Sequence, residues 1–314
     1  MKRYTVLVIA LLFACCAGQI AEFSSLSHEE YCSKVWRYDV ECAVEHMLTD
    51  KEVSKVASLA ETLKGENCKD TAWNILEWED ENLQYDYEKA SLPPPQIVIG
   101  GGSVEVHDTG RRIQTPAETV SLRKGICTDY AILTLALLKG AGCDGYLVNV
   151  TFEKGEGHVA AAILLNGTFF ILDQHLPPLD PGSYYKKWLE EGRKVKFAEV
   201  YYGNTTVGLD FSHGYSLSES DADKLEMLVA DMFRHTGLKE DPRLSGKMLP
   251  PGYRDGKVIK LTLGMAEYYH PEFKMQFARY IFKLLNEKND NFRAFNLKIS
   301  VQKGGLEVVL YVAR

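Results

Sequence analysis

The sequence lacks the features of a nucleic-acid-binding protein and of a repeat protein. Its 36 lysine and arginine residues are outnumbered by 43 aspartate and glutamate residues, so the net charge is −7. No basic stripe is interleaved with aromatic residues, which argues against a nucleic-acid partner. No internal repeat or low-complexity tract interrupts the chain, and a content of 46% hydrophobic and 25% charged residues is ordinary for a globular protein. The 314 residues are enough for one large domain or two modest domains with real cores.

Metal-ligand spacing is also missing. No CxxC motif or Cys/His cluster has the spacing of metal ligands, and no acidic cluster resembles a calcium loop. We therefore expect no metal and no cofactor. Cys32, Cys42 and Cys68 lie before the central part of the chain, and in an exported protein two of them would form a disulfide. Three candidates leave one unpaired, so the pairing stays open, and buried free thiols are the alternative.

A long apolar run is present only at the N-terminus. Lys2 and Arg3 precede a fifteen-residue apolar run, residues 4–18, that ends in small residues. This order is typical of an export signal, and the run is shorter than the roughly 20 residues of a membrane-spanning helix. We expect residues 1–18 to be a signal peptide or a membrane anchor, and Leu12-Phe-Ala-Cys15 leaves lipid attachment open. The protein is then secreted or membrane-anchored, outside the cytoplasm.

The order of the predicted elements indicates an α+β protein in four segments. Residues 1–18 are the export segment, 19–70 are a helical segment, 71–188 form the core, and 189–314 form an α/β extension without a chemical motif. Within the core, residues 92–114 combine a run of three prolines with a run of three glycines. So long an irregular stretch is functional or mobile. We expect either a wall or lid of a functional site or a surface excursion.

A polar first turn opens an otherwise apolar helix in the centre of the chain. The spacing predicts a buried central helix from Cys127 to Lys139. Upstream, Thr115 and Glu118 match a capping box. The short helix that they begin should end at Gly125. Cys127 then lies at a helix N-terminus, where unpaired backbone amides lower the pKa of a thiol.

A predicted hairpin brings a histidine and an aspartate to one face of a sheet. Asn166-Gly167 between two apolar runs predicts a type I′ turn. With that turn, residue 160 pairs with Asp173, and His158 lies on the same face because side chains alternate. The diagonal distance of about 7–8 Å between Cα atoms is within reach of long side chains. Asp173 can therefore orient His158, which can act as the base for Cys127.

The same register gives His158 a competitor and a packing partner. His175 faces His158 directly, so it is an alternative base, although it follows the strand and precedes two prolines. Ala160 and Ala162 are small and leave room for a helix on the face that carries His158. We expect that helix to be the central one.

Three separated motifs resemble the transglutaminase-like superfamily. They are Gln114-Thr-Pro-Ala-Glu-Thr119 with Arg123-Lys-Gly-Ile-Cys127-Thr-Asp-Tyr-Ala131, then Gly157-His158, then Leu172-Asp173. Trp73-Asn-Ile-Leu-Glu-Trp78 is similar to the helix before the motif in microbial members. The resemblance covers roughly residues 70–185 and is greatest to uncharacterised archaeal and bacterial proteins. It implies a papain-like core in which a helix that begins at the cysteine packs on an antiparallel sheet.

The resemblance implies a thiol enzyme that acts on peptide or amide bonds. Cys127 would be the nucleophile that forms a thioester, His158 the base and Asp173 the orienting residue. Hydrolysis is slightly favoured over transfer to an amine, because transfer also needs a water-excluding tunnel. The backbone amide of Cys127 would be the first oxyanion donor, and Gln114 is a candidate for the second. The alternative is an inactive module that binds peptide or cell-envelope polymer.

Overall fold

The computed structural model describes residues 26–100, 102–155, 157–202, 205–246, 249–287 and 292–314. The predicted export segment, residues 1–18, lies outside this part of the chain. Within the described ranges, no helix combines the length and the apolar character that crossing a membrane requires.

The architecture is mixed, which confirms the predicted α+β class. The α-helices, in chain order, are α1 (His28–Val35), α2 (Val40–Met47), α3 (Asp50–Val53), α4 (Ala57–Leu63), α5 (Cys68–Asn82), α6 (Tyr87–Ser91), α7 (Pro116–Leu122), α8 (Cys127–Gly140), α9 (Pro181–Glu190), α10 (Glu219–His235) and α11 (Lys274–Asn286). The strands are β1 (Gln84–Tyr85), β2 (Gln96–Gly100), β3 (Ser103–His107), β4 (Lys124–Gly125), β5 (Tyr146–Phe152), β6 (Gly157–Leu165), β7 (Thr168–Asp173), β8 (His175–Leu179), β9 (Val195–Tyr202), β10 (Thr205–Gly208), β11 (Lys239–Glu240), β12 (Gly256–Leu263), β13 (Ala294–Gln302) and β14 (Gly305–Ala313).

The chain forms two compact units. In the described part of the chain, one unit contains residues 26–46 and 87–113, and the other contains residues 47–86 and those from 114 onward. The predicted segment boundaries after residues 70 and 188 do not coincide with this division.

The smaller unit corrects the expectation of an irregular stretch at residues 92–114. Strands β2 and β3 pair there as an antiparallel hairpin, in which Gly100 pairs with Ser103. Ile97, Val104 and Val106 of the hairpin pack against a cluster that contains Cys32 and Cys42, which are joined by a disulfide. The sequence signal was obscured because glycines and prolines surround only five residues in each strand. The role of this stretch as a wall or lid stays a prediction.

The larger unit contains a six-stranded antiparallel sheet with the order β10-β9-β5-β6-β7-β8. The predicted hairpin register is confirmed, because Leu165 pairs with Thr168 and Ala161 pairs with Leu172. Asn166 and Gly167 have φ angles of 50° and 82°, so both turn residues are in the left-handed region that a type I′ turn requires.

The central helix α8 begins at Cys127, as the sequence predicts. Ile132, Leu133 and Leu137 have no exposed surface. The capping box of Thr115 and Glu118 is present at the start of α7.

The predicted end of α7 at Gly125 was wrong. The left-handed residue that ends this helix is Arg123, with φ of 53°. Gly125 is needed for another reason, because a Cβ atom at this position would lie 2.8 Å from Cβ of Asp129.

The packing partner expected for Ala160 and Ala162 was also wrong. Both residues belong to a core cluster with Tyr184 and Trp188 of α9, and no residue of the central helix belongs to that cluster in the described chain. Val159, on the other face of β6, is also buried. Helix α9 therefore covers the face that carries His158. No local signal in the sequence distinguishes between the two helices as the packing partner.

The C-terminal extension forms a second sheet with the order β11-β13-β14-β12. Helix α10 begins at Glu219, where Ser218 and Asp221 form its capping box. Helix α11 packs on α5, where Phe277 meets Trp73 with ring centroids 5.0 Å apart. The extension is therefore part of the same compact unit as the core.

A second disulfide joins Cys68, at the start of α5, to Cys143, just after α8, with Cα atoms 5.6 Å apart. Cys143 was missing from the sequence candidates because nothing local pairs two cysteines 75 residues apart. Cys127 is the free cysteine of the described chain.

We expect the Cys68–Cys143 disulfide to stabilise the larger unit more than Cys32–Cys42 stabilises the smaller one. The Cys68–Cys143 bond closes a loop of 75 residues, and the Cys32–Cys42 bond closes a loop of 10. The chain-entropy model predicts that removing them lowers the free energy of unfolding by about 4 kcal/mol and by under about 3 kcal/mol, respectively. Denaturant unfolding of the two Cys→Ser double variants, followed by tryptophan fluorescence, measures both. Equal losses would show that loop length does not set the difference.

Candidate active site

The structure places His158 and Asp173 in direct contact inside the larger unit. Nε2 of His158 lies 2.9 Å from Oδ2 and 3.0 Å from Oδ1 of Asp173. The two residues are only 6% and 5% exposed. This is the diagonal contact across β6 and β7 that the hairpin register predicts.

Helix α9 supplies two residues to this site that the sequence analysis missed. The hydroxyl of Tyr184 donates a hydrogen bond of 2.9 Å to Oδ2 of Asp173. The ring of Trp188 meets the ring of His158 edge-on, with centroids 4.9 Å apart. Asp180, at the N-cap, and Pro181, in the first turn, are the local signal that could have located this helix.

Cys127 lies at the start of the central helix and is 8% exposed. The thiol lies near enough to His158 and to the backbone of Val159 for both to lower its pKa. Because Nε2 of His158 faces Asp173, Nδ1 is the nitrogen left for the thiol. The structure therefore brings Cys127, His158 and Asp173 to one buried site.

The electrostatics of the three residues are those of a charged pair. Burial alone raises the pKa of the Cys127 thiol, but the hydrogen bond and positive charge of His158 outweigh it, so the pKa is lowered. Burial lowers the pKa of His158, but the charge and hydrogen bond of Asp173 raise it to about 10. Burial likewise raises the pKa of Asp173, yet the charge of His158 holds it at about 2. A thiolate beside an imidazolium is the form that these shifts favour.

Asp129 fixes the turn that presents Cys127. Its carboxylate accepts one hydrogen bond from the backbone amide of Ile126 and another from that of Gln114, both at 2.8 Å. Asp129 has no exposed surface. A buried carboxylate with two amide donors holds the residues on either side of α7 in place.

The other two residues considered for the site lie elsewhere or have other partners. Nδ1 of His175 lies 2.6 Å from Oδ1 of Asp80, and both side chains are largely exposed. His175 is therefore paired with Asp80 on α5 and is not brought to Cys127, so the alternative prediction of His175 as the base was wrong. Oε1 of Gln114 accepts a hydrogen bond of 3.1 Å from Thr119, and its role as an oxyanion donor stays a prediction.

One group of side chains in the described part of the chain has atoms close enough to hold a metal ion. His28, Cys32 and Glu45 of the smaller unit place their ligand atoms within 4.8 Å of one another. The sulfur of Cys32 is already bonded to Cys42, and His28 is hydrogen-bonded to Glu45. The sequence analysis did not single out this group because its ligands are spread over α1 and α2.

Comparisons with known proteins show which families and structures the chain is similar to. The profile of a family described as a transglutaminase-like domain matches residues 54–201. A UPF0252 protein from Archaeoglobus fulgidus is 61% identical, covering 99% of this chain and 100% of that protein. A UPF0252 protein from Pyrococcus horikoshii is 32% identical and covers 84% of this chain and 85% of that protein. Among solved structures, Legionella pneumophila LapG is 12% identical, with a TM-score of 0.32 over 53% of this chain and 82% of that chain.

We expect Asp173→Asn to destabilise the protein in a pH-dependent way. The lowered pKa of Asp173 stabilises the fold above about pH 4, and the raised pKa of His158 stabilises it below pH 6.5 and is lost as pH rises to about 10. The loss should be about 3–5 kcal/mol near pH 5 and smaller at pH 9, as measured by denaturant unfolding.

Asp80→Asn is the matched control because it removes the carboxylate of an exposed His–Asp pair. Its loss should stay below about 1 kcal/mol at both pH values. Equal losses for the two variants would mean that burial does not strengthen the His158–Asp173 pair.

Proposed function

Because the chain belongs to the UPF0252 family and contains a transglutaminase-like domain, we propose that it is a thiol enzyme that cleaves peptide or amide bonds through a thioester on Cys127. The observation that carries the proposal is the buried His158–Asp173 pair, which lies near enough to Cys127 to lower the pKa of its thiol. Such an arrangement provides a nucleophile, a proton carrier and an orienting carboxylate.

In the first step, the Cys127 thiolate attacks the carbonyl carbon of the substrate. The carbon–nitrogen bond then breaks, and His158 gives its Nδ1 proton to the leaving amine. Asp173 keeps the ring oriented by its contact with Nε2. The raised pKa of His158 means that the imidazolium is present at neutral pH to supply that proton.

In the second step, a nucleophile resolves the thioester. Water gives a carboxylic acid, and its proton passes to His158, while the sulfur leaves as thiolate. A primary amine would instead give a new amide. We favour hydrolysis, because water is the simpler second substrate and transfer requires its exclusion.

We further propose that the protein acts outside the cytoplasm on a peptide or cell-envelope substrate. The basis is residues 2–18, whose charge and apolar run match an export signal. The two disulfides support this location, although intracellular proteins of some heat-adapted archaea also carry disulfides.

His158→Ala should slow the alkylation of Cys127 by iodoacetamide at pH 6 by about 100-fold, because the thiolate then has no imidazolium beside it. His175→Ala is the matched control, since it removes an exposed histidine that also has a carboxylate partner, and its rate should be unchanged. Peptide mapping by mass spectrometry follows the label on Cys127. Equal rates for wild type and His158→Ala would reject the thiolate–imidazolium pair.

Product analysis should separate hydrolysis from transfer. A peptide library incubated with the protein and a primary amine should yield mainly new carboxylic acids, detected by mass spectrometry with ¹⁸O water. Cys127→Ala should yield neither product. Mainly amine adducts would make the protein a transferase, and no Cys127-dependent product of either kind would favour a binding module.

A further inference from the structure

A glutamate with no part in the mechanism above lies in the interior beside the site. Glu79 is on α5 and has no exposed surface. Its Oε1 lies 2.7 Å from the hydroxyl of Thr134, on the central helix. Its Oε2 has no hydrogen-bond partner among the described residues. A buried carboxylate in such surroundings is costly, so the chemical form of this group needs an explanation.

The hydrogen-bond donors around Thr134 indicate that form. Its hydroxyl oxygen lies 2.7 Å from Glu79 Oε1 and 2.9 Å from the carbonyl oxygen of Tyr130. A hydroxyl has one proton, and a backbone carbonyl can only accept. If Thr134 donates to Glu79, its contact with Tyr130 has no well-aligned proton; if Thr134 donates to Tyr130, Glu79 must donate its own proton to Thr134. The second arrangement satisfies both short contacts. The remaining Oε2 is then a neutral carbonyl oxygen, which tolerates the lack of a partner far better than a carboxylate oxygen.

The charges around Glu79 act in the same direction. Burial raises the pKa of Glu79 to about 8, and the negative charge of Asp173 on β7 adds to this; a hydrogen bond donated by Thr134 to an ionised Glu79 would act in the opposite direction. No cation is among the groups that shift this pKa.

The other charged groups on elements that pack against α5 have partners of their own. His175 of β8 pairs with Asp80. On α11, Lys283 pairs with Glu77 and Arg279 pairs with Asp70. His158 of β6 pairs with Asp173.

The groups that the central helix presents also have partners. The carbonyl oxygen of Tyr130 faces Thr134, and Asp129 accepts hydrogen bonds from two backbone amides.

We propose that Glu79 holds a proton at neutral pH and acts as a positioning residue, a neutral acid beside the site that leaves Asp173 as the carboxylate partner of His158. A second buried negative charge would bind the imidazolium more strongly and make the thiolate less stable. Holding the proton avoids both effects up to about pH 8. The role in catalysis rests on the proposed function, whereas the protonated state does not.

Glu79→Gln is the variant that tests the protonated state. A glutamine side chain is neutral and can donate to Thr134, so the variant should fold like wild type. Wild-type Glu79 has a raised pKa in the folded protein, so the unfolded chain loses this proton first and wild type loses stability relative to the variant as pH rises. The ratio of the two unfolding constants should change by up to about tenfold per pH unit from about pH 5 to pH 8 and then become constant.

Glu81→Gln, on the same helix with a side chain 58% exposed, controls for the loss of one carboxylate and should show no such trend. Infrared spectroscopy provides a second measurement. The carbonyl stretch of a protonated carboxylic acid should be present in wild type at pH 7, absent in Glu79→Gln, and lost from wild type above about pH 8. A ratio of unfolding constants that does not vary with pH, or the absence of that infrared band, would overturn the proposal.

Alkylation by iodoacetate tests the positioning role without a substrate. Because the reagent is an anion, it reports on the Cys127 thiolate and the His158 imidazolium together. The acidic limb of the rate profile should be the same in wild type and Glu79→Gln, since the group is neutral in both at low pH. The alkaline limb should lie about one pH unit lower in the variant. In wild type, Glu79 becomes negatively charged at alkaline pH and raises the pKa of His158, whereas the glutamine of the variant stays neutral.

The outcomes separate this inference from the proposed function. An acidic limb that moves to lower pH in Glu79→Gln would show that the wild-type residue is ionised near neutrality, which overturns the inference. Limbs that both stay in place would leave Glu79 as a structural residue and overturn the positioning role. Either result is compatible with full peptide cleavage by wild type, so neither contradicts the proposed function.

Discussion

The buried carboxylate of Asp173 is the constraint on which the rest of the site depends. A carboxylate that is 5% exposed costs several kcal/mol unless cations or hydrogen-bond donors surround it. His158 provides the charge across the hairpin, and Tyr184 provides a donor from α9. The register of the hairpin and the position of α9 therefore each bring a partner to the carboxylate of Asp173. The negative charge of Asp173 also raises the pKa of the Cys127 thiol directly, whereas the hydrogen bond and charge of His158 lower it.

The parts of this arrangement that the sequence predicts are those with a local physical cause. Asn166-Gly167 sets the hairpin register because two consecutive positive φ angles allow few alternatives. The capping box of Thr115 and Glu118 marks a helix start, and the apolar run after Cys127 marks a buried helix. Each of these signals acts within a few residues, so it survives without knowledge of the tertiary fold.

The parts that the sequence does not predict depend on contacts between distant segments. Whether α8 or α9 covers Ala160 is decided by packing, because both helices have apolar residues to offer. Two long-range contacts start from α5. Cys68 is bonded to Cys143, just after the central helix, and Glu79 contacts Thr134 on that helix. The start of α10 is ambiguous for a local reason, because Ser218 and Ser220 are both followed three residues later by aspartate.

The long-range disulfide also bears on how the molecule matures. A thiolate is the attacking group in thiol–disulfide exchange as well as in attack on carbonyls. Before the disulfides form, Cys68, Cys143 and Cys127 are all thiols that can take part in such an exchange. A bond from Cys127 to either of the other two would exclude the native pair. In the structure, Cys68 and Cys143 are joined and Cys127 is buried at the start of the central helix, so the native pairing leaves Cys127 as the free cysteine of the described chain.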